Sequence, residues 1–162
     1  MLPLRLVYVL ALAVWLGGMT MLGAVVAPTI FQTLQAADPG SGRAFAGVAF
    51  GAILTRFHLV AYGCGILLLV TLVAMALLGP RPKHFAIRSG IVAGMLLVSA
   101  YSGVVVLGEI DAIQREVGTL PSRLPEGDPR RVRFDALHQL STRLMMVDLM
   151  GALVLLYWEA RE

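Results

Sequence analysis

The most conspicuous chemical group in this sequence is an aspartate inside an apolar run. Asp148 sits in Leu144-Met-Met-Val-Asp-Leu-Met, with no lysine or arginine three or four positions away to pair with it along a helix. A carboxylate at membrane depth costs roughly 2.5–3.5 kcal/mol on insertion scales, so such a residue faces other helices and marks function by default. The bland expectation is a polar clasp to Ser99, Tyr101 or Ser102 on a neighbouring helix; the functional one is a proton, cation or ligand role. At ~100° per residue, His138, Ser141, Met145 and Asp148 fall within an arc of about 80°. One helical face thus carries an imidazole, a hydroxyl, a thioether and a carboxylate. That stripe does not suit lipid, and it predicts a cavity shared with the other helices.

His58 supplies a second imidazole. It begins one apolar run as His138 begins another, which places both near the same membrane face. Two imidazoles at similar depth on different helices are what bis-histidine haem or a transition-metal site requires, although an interfacial histidine more often just hydrogen-bonds a neighbour. Arg56 and Arg143 lie close by, and their stems can snorkel to the interface or pair with Glu109 or Asp111. His58, His138, Arg56, Arg143 and Glu109 would then form a polar mouth above Ser141, Met145 and Asp148. The eight methionines could supply thioether ligands to copper, but gap-filling in an apolar core explains them more simply.

The elements that carry these residues follow from composition. The 162 residues are 58% hydrophobic and 14% charged, against about 25% charged in ordinary soluble domains, and mean hydropathy is +0.81. Water cannot be the only solvent. Four runs approach the ~20 residues that cross a hydrocarbon core: about 6–27 (closed by Pro28), 57–79 (stopped by Pro80 and Pro82), 89–108 and 137–158. Lipid leaves open backbone hydrogen bonds unsatisfied, so these runs are helices. The expectation is one all-α domain, an integral membrane four-helix bundle. The first run exceeds the 7–15 residues of a signal-peptide core and has Pro28 at the candidate cut, so it reads as a retained helix. The segment from Gly42 to His58 either extends the second helix outward or lies along the interface. Residues 121–130 are a hydrated loop by their Pro and Gly content, and Asp128 or Asp135 would cap the fourth helix.

Four spans put both termini and the basic Arg81–Arg88 loop on one face, and the longer connections on the other. Arginines flank the spans, so the net charge of +3 marks membrane interfaces and gives no reason to expect nucleic acid. The short basic loop favours termini in the cytoplasm. Without a hydrophobic drive between helices in lipid, cohesion must come from small residues; Gly90 with Gly94, and Gly47 with Gly51, have G-x-x-x-G spacing. These faces would pack the bundle itself or join a second copy or a partner subunit. Trp15, at mid-span, would fill the bundle, whereas Tyr157 and Trp158 would be interfacial. The single cysteine, Cys64, permits no internal disulfide.

Three stretches resemble a known family. Trp15-Leu-Gly-Gly with Pro28 and Phe31 beyond it, Phe57-His58 opening the second span, and Phe134-Asp-Ala-Leu-His138-Gln-Leu-Ser141 opening the fourth look, in that order and spacing, like the transmembrane protein 205-like family. The resemblance implies a four-span membrane protein, here of a bacterial inner membrane, with no assigned reaction; a eukaryotic relative is associated with resistance to platinum drugs. More distantly the layout is similar to small four-span copper-resistance and haem-dependent protoporphyrinogen oxidation families, but no histidine precedes His58 to match their first-helix ligand. The sequence has no nucleophile with an adjacent base, no phosphate loop and no Cys-pair spacing, so hydrolysis and nucleotide-driven work are not expected. The leading expectation is a small binding or transport protein for a metal ion, proton or small hydrophobic molecule. An accessory or assembly subunit and a haem-bound redox protein are the alternatives.

Overall fold

The computed structural model describes residues 2–79, 81–118 and 120–161. Four helices dominate it: α1 Leu2–Ala37, α2 Gly42–Leu78, α3 Phe85–Val117 and α4 Pro129–Glu159, each long and apolar enough to cross a membrane. No strand occurs among the described residues. α1 packs on α2 and α4, and α3 packs on α2 and α4, so the chain runs up and down around the bundle in sequence order. Large apolar side chains such as Leu59, Ile66, Leu77, Leu97 and Met150 point outward, which only a lipid surround makes inexpensive. The protein is an all-α membrane protein.

The helices are longer than a bilayer is thick. At 1.5 Å per residue, the 37 residues of α2 extend about 55 Å, against a hydrocarbon core of about 30 Å. Exposed apolar side chains reach the end that carries both termini, as at Leu6, Leu77 and Leu78, whereas Arg130, Arg131 and Arg133 pair with Asp128, Glu126 and Glu109 at the opposite end. The surplus length therefore projects at that opposite end. Measured from Glu159, Asp148 lies about 16 Å in, close to mid-bilayer, and His138 about 30 Å in, at its far boundary.

Pro28 does not close the first helix. Proline lacks an N–H and crowds the carbonyl four residues back, but α1 absorbs this by widening to a π-helical turn over Leu22–Val26, in which the Ala27 N–H donates to the Leu22 carbonyl five residues back. Helix continues to Ala37. The turn into α2 is held by the Asp38 carboxylate, which accepts from the Gly40 and Ser41 amides at 2.9 and 3.1 Å. A Cβ on Gly42 would run into the Leu34 carbonyl. The Gly42–His58 segment is helical throughout and extends α2 outward. Pro80 lies outside the described residues; α2 ends at Leu78. A second π-helical turn, Tyr101–Val106, widens α3. Residues 121–128 form a 3-10 turn and a loop, and Asp128 caps α4 by accepting from the Arg130 amide at 2.9 Å. The Arg130 guanidinium and the same amide hold the Asp128 carboxyl down to about 2.

Two apolar cores result. The larger, near the termini, centres on Tyr8, Leu12, Trp15, Leu68, Leu72, Val92 and Leu155. The smaller, at the projecting end, joins Val106, Leu107, Ile110 and Leu137. The G-x-x-x-G pairs hold neither together: a Cβ at Gly47, Gly51, Gly90 or Gly94 would meet nothing within 4 Å. Close helix approach falls instead at Gly18 against Phe57, Gly65 against Leu96 and Trp15, Gly103 against His58 and Tyr62, and Gly151 against Met95.

Candidate intramembrane binding site

Between the two cores the helices part around a cavity of about 250 Å³. Its wall from α4 is the stripe His138, Ser141, Met145 and Asp148, with Phe134, Asp135 and Thr142 beside it. α2 contributes a face of period 3.6, in which Gly47, Gly51, Leu54, Phe57 and His58 follow one another. α1 supplies Trp15, Met19 and Phe31, and α3 supplies Ser99, Ser102, Leu107 and Ile110. Both π-helical turns lie at this level; such turns often accompany functional sites, where they re-aim side chains.

The inner end of the cavity is polar and closed. Ser99 Oγ donates to Asp148 Oδ2 at 2.6 Å, so the serine clasp exists. The other carboxyl oxygen, Oδ1, is buried and has no hydrogen-bond partner among the described residues, and the same is true of Trp15 Nε1. Asp148 is 4% exposed and Trp15 0%. Buried polar groups of native proteins are nearly always satisfied, and an orphan costs about 1–3 kcal/mol. Two orphans on one cavity wall need a common explanation.

His58 stands higher, at the cavity waist. Its Nδ1 lies 2.8 Å from the Leu54 carbonyl; a carbonyl only accepts, so Nδ1 carries a proton and donates. The ring is tilted 56° against Tyr62 at 6.1 Å, and the Tyr62 hydroxyl donates to the Ser99 carbonyl at 3.3 Å. Only glycine at position 103 lets α3 approach this pair, because a Cβ there would meet the Tyr62 hydroxyl and the His58 ring. His138 is at the outer mouth, exposed and stacked on Phe134 at 6.4 Å.

Of the eight residues singled out in the sequence, His58, His138, Ser141, Met145 and Asp148 share this cavity, and Arg56, Arg143 and Glu109 are not among its lining residues. Glu109 is engaged elsewhere, accepting from Arg133 at 2.6 Å. The partner of Glu109 is thus Arg133, one turn before Leu137, rather than Arg56 or Arg143, for which pairing was the alternative to snorkelling. The two histidines do not recruit a third ligand. Among the described residues no group of three or more His, Cys, Asp or Glu gathers as a metal would need.

Of the aromatic lining, Phe50 alone is absent from the residues singled out in the sequence. Phe50, Leu54, Phe57 and His58 are spaced i, i+4, i+7 and i+8, a one-sided pattern that marks an inward face within the segment read as an outward extension of the second helix or an interfacial stretch. The orphaned Trp15 N–H carried no sequence signal, because satisfaction depends on what α4 places opposite it.

A second polar cluster lies at the end with the termini. Arg88 is 1% exposed and donates to Glu159 Oε2 at 3.1 Å. Arg5 pairs with the same carboxylate and also donates to the Glu159 carbonyl at 3.0 Å. Arg88, expected in a free basic loop, is therefore a buried partner joining α3 to α4. His84 stacks on Trp158 at 5.4 Å beside it.

A family model described as "Domain of unknown function (DUF4149)" matches residues 10–118, about two thirds of the chain. The match takes in α1, α2 and α3, and with them Trp15, His58, Ser99 and Gly103; α4 and Asp148 lie beyond it. No curated protein matches the chain, and no solved structure does.

Proposed function

We propose that this chain, which belongs to the DUF4149 family of domains of unknown function, is a membrane binding or transport protein that takes a small, mainly apolar molecule into the cavity between its helices. One observation carries the reading: Asp148 Oδ1 and Trp15 Nε1, both buried and without partners among the described residues, belong to residues that line the same cavity. A bound molecule with a polar end would satisfy both. The walls between that end and the mouth are apolar and aromatic, as small-molecule sites generally are, with few polar groups fixing orientation. Metal as cargo fits less well, since His58 and His138 lack a third ligand group. Haem fits less well again, because about 250 Å³ is below the ~300–1,000 Å³ of ordinary ligand pockets. The resemblance to the transmembrane protein 205-like family accords with the reading: Trp15, Phe31, Phe57, His58, Phe134, His138 and Ser141 of its three stretches line the cavity, while Gly17, Gly18 and Pro28 do not.

The test is extraction and mass spectrometry of small molecules that copurify with the protein in nanodiscs. Wild type is expected to hold one class of molecule near stoichiometry, and Ser141→Phe, which projects a ring into the cavity, to lose it. Equal retention by both proteins refutes the reading. A second reading, an accessory subunit of a larger membrane complex or a homo-oligomer, is favoured by one observation: among the described residues, a Cβ at Gly90 or Gly94 of α3 would meet nothing within 4 Å. The short basic loop around Arg81 and Lys83 supports a cytoplasmic position for the termini, in a bacterial inner membrane.

A further inference from the structure

We infer that the polar end recognised at the floor of the cavity is a hydroxyl, so that the ligand is an apolar alcohol or phenol. The inference rests on the binding reading above and adds the chemical class.

The argument is one of hydrogen-bond inventory. The indole N–H of Trp15 can only donate. The Asp148 carboxyl has committed Oδ2 to Ser99, which leaves Oδ1 to accept when ionised or to donate when protonated. A carbonyl head satisfies Trp15 and the protonated acid, but offers nothing to the carboxylate. An ammonium satisfies the carboxylate and leaves Trp15 unmet. A carboxylate or phosphate head would bring a second negative group against Asp148. Of these head groups the hydroxyl accepts from Trp15 and either donates to or accepts from Oδ1, so it suits both protonation states. A water molecule would also do this, since buried waters satisfy such groups, but it would leave the Phe50, Leu54 and Phe57 wall without contacts; a hydroxyl carried on an apolar body meets both the floor and the wall. A cavity of about 250 Å³, just below the ~300 Å³ lower bound of ordinary ligand pockets, takes a short chain or a single ring system.

The experiment uses the full chain in nanodiscs and four probes with eight-carbon skeletons: 1-octanol, n-octane, 2-octanone and octylamine. Trp158→Phe leaves Trp15 as the only indole, whose emission reports hydrogen bonding at its N–H. Trp15→Phe leaves Trp158 outside the cavity and reports effects on the bilayer. The expected result is a saturable shift of Trp15 emission with 1-octanol at about one tenth the concentration needed for each other probe. Tenfold is what about 1.4 kcal/mol sets. The same preference, read by thermal unfolding, is expected to fall below about threefold in Asp148→Leu and in Trp15→Phe. If octane and octanol saturate alike, the hydroxyl inference fails and the binding reading stands. If octylamine wins, the site recognises a cation and the inference fails. If no probe saturates, both fail.

Discussion

Glu159 is expected to be the single most stabilising charged residue of the bundle. Its carboxylate, 7% exposed, faces Arg88, 1% exposed, at 3.1 Å, and Arg5, 41% exposed, on its other oxygen. At an effective dielectric of about 20, two unit charges 3.1 Å apart attract by about 5 kcal/mol before desolvation is subtracted. Net worth is smaller. What matters for a substitution is the charge left behind: Glu159→Gln strands a buried guanidinium, and breaking one side of such a pair costs about 3–5 kcal/mol. Arg5→Gln leaves the Arg88–Glu159 pair intact and removes a partly solvated partner, which is worth about 0–1 kcal/mol. The assay is equilibrium unfolding in mixed SDS and mild-detergent micelles, followed by helix circular dichroism. Replacing both members of the buried pair, Arg88→Met with Glu159→Gln, is expected to cost less than the sum of the single changes, since neither charge is then stranded. If Arg5→Gln costs as much as Glu159→Gln, or if the double substitution is simply additive, the buried-pair account is wrong.

Two further outcomes follow from local geometry. Gly103→Ala places a methyl against the Tyr62 hydroxyl and the His58 ring, so it is expected to lower stability by about 1–3 kcal/mol, whereas Gly94→Ala, with open space around it, is expected to change it by less than about 0.5 kcal/mol; the same detergent titration reads both. Asp128 has its carboxyl held down to about 2 by Arg130, so its contribution is present above the unfolded carboxyl pKa near ~4 and is lost as pH falls through the folded value. Asp128→Ala is therefore expected to be less stable than wild type at neutral pH and to converge with it at about pH 2, measured as thermal midpoints from pH 7 to pH 2.

The parts of this molecule written in composition and period were legible in its sequence. Four apolar runs gave four helices, and the 138–141–145–148 spacing placed its residues on one wall, because both follow from properties of single helices. Helix ends were less legible. Pro28 looked like a stop, yet a π-helical turn carries α1 past it, and nothing in the residue types distinguishes a broken helix from a widened one. Interhelical pairing was least legible. Arg88 looked like part of a basic loop, and its partner Glu159 lies 71 positions away; the bundle alone brings them together. The glycines show the same limit: G-x-x-x-G spacing marks a face that can be approached closely, and which face is approached depends on the neighbouring helix.

The placement of the cavity has a physical cause in those same features. Near the termini the four helices are drawn together by the buried ion pairs and by Trp15, Leu68, Leu72 and Leu155. At the projecting end a separate small core closes them again. Between these clamps part of the wall is built of Ser99, Ser102 and Ser141, whose short side chains do not fill the gap. Both π-helical turns fall in this interval, one on α1 and one on α3, and each inserts an extra residue per turn that shifts the facing side chains out of register. A bundle clamped at both ends, with small residues and widened turns in the middle, leaves a void there. A void lined only by aliphatic groups would count as a packing cost. This one holds a carboxyl oxygen and an indole N–H without a hydrogen-bond partner among the described residues. Keeping both unsatisfied inside a membrane would subtract from stability with no return, and it is the coincidence of the void with the two orphaned groups that makes a bound molecule the economical explanation of the architecture.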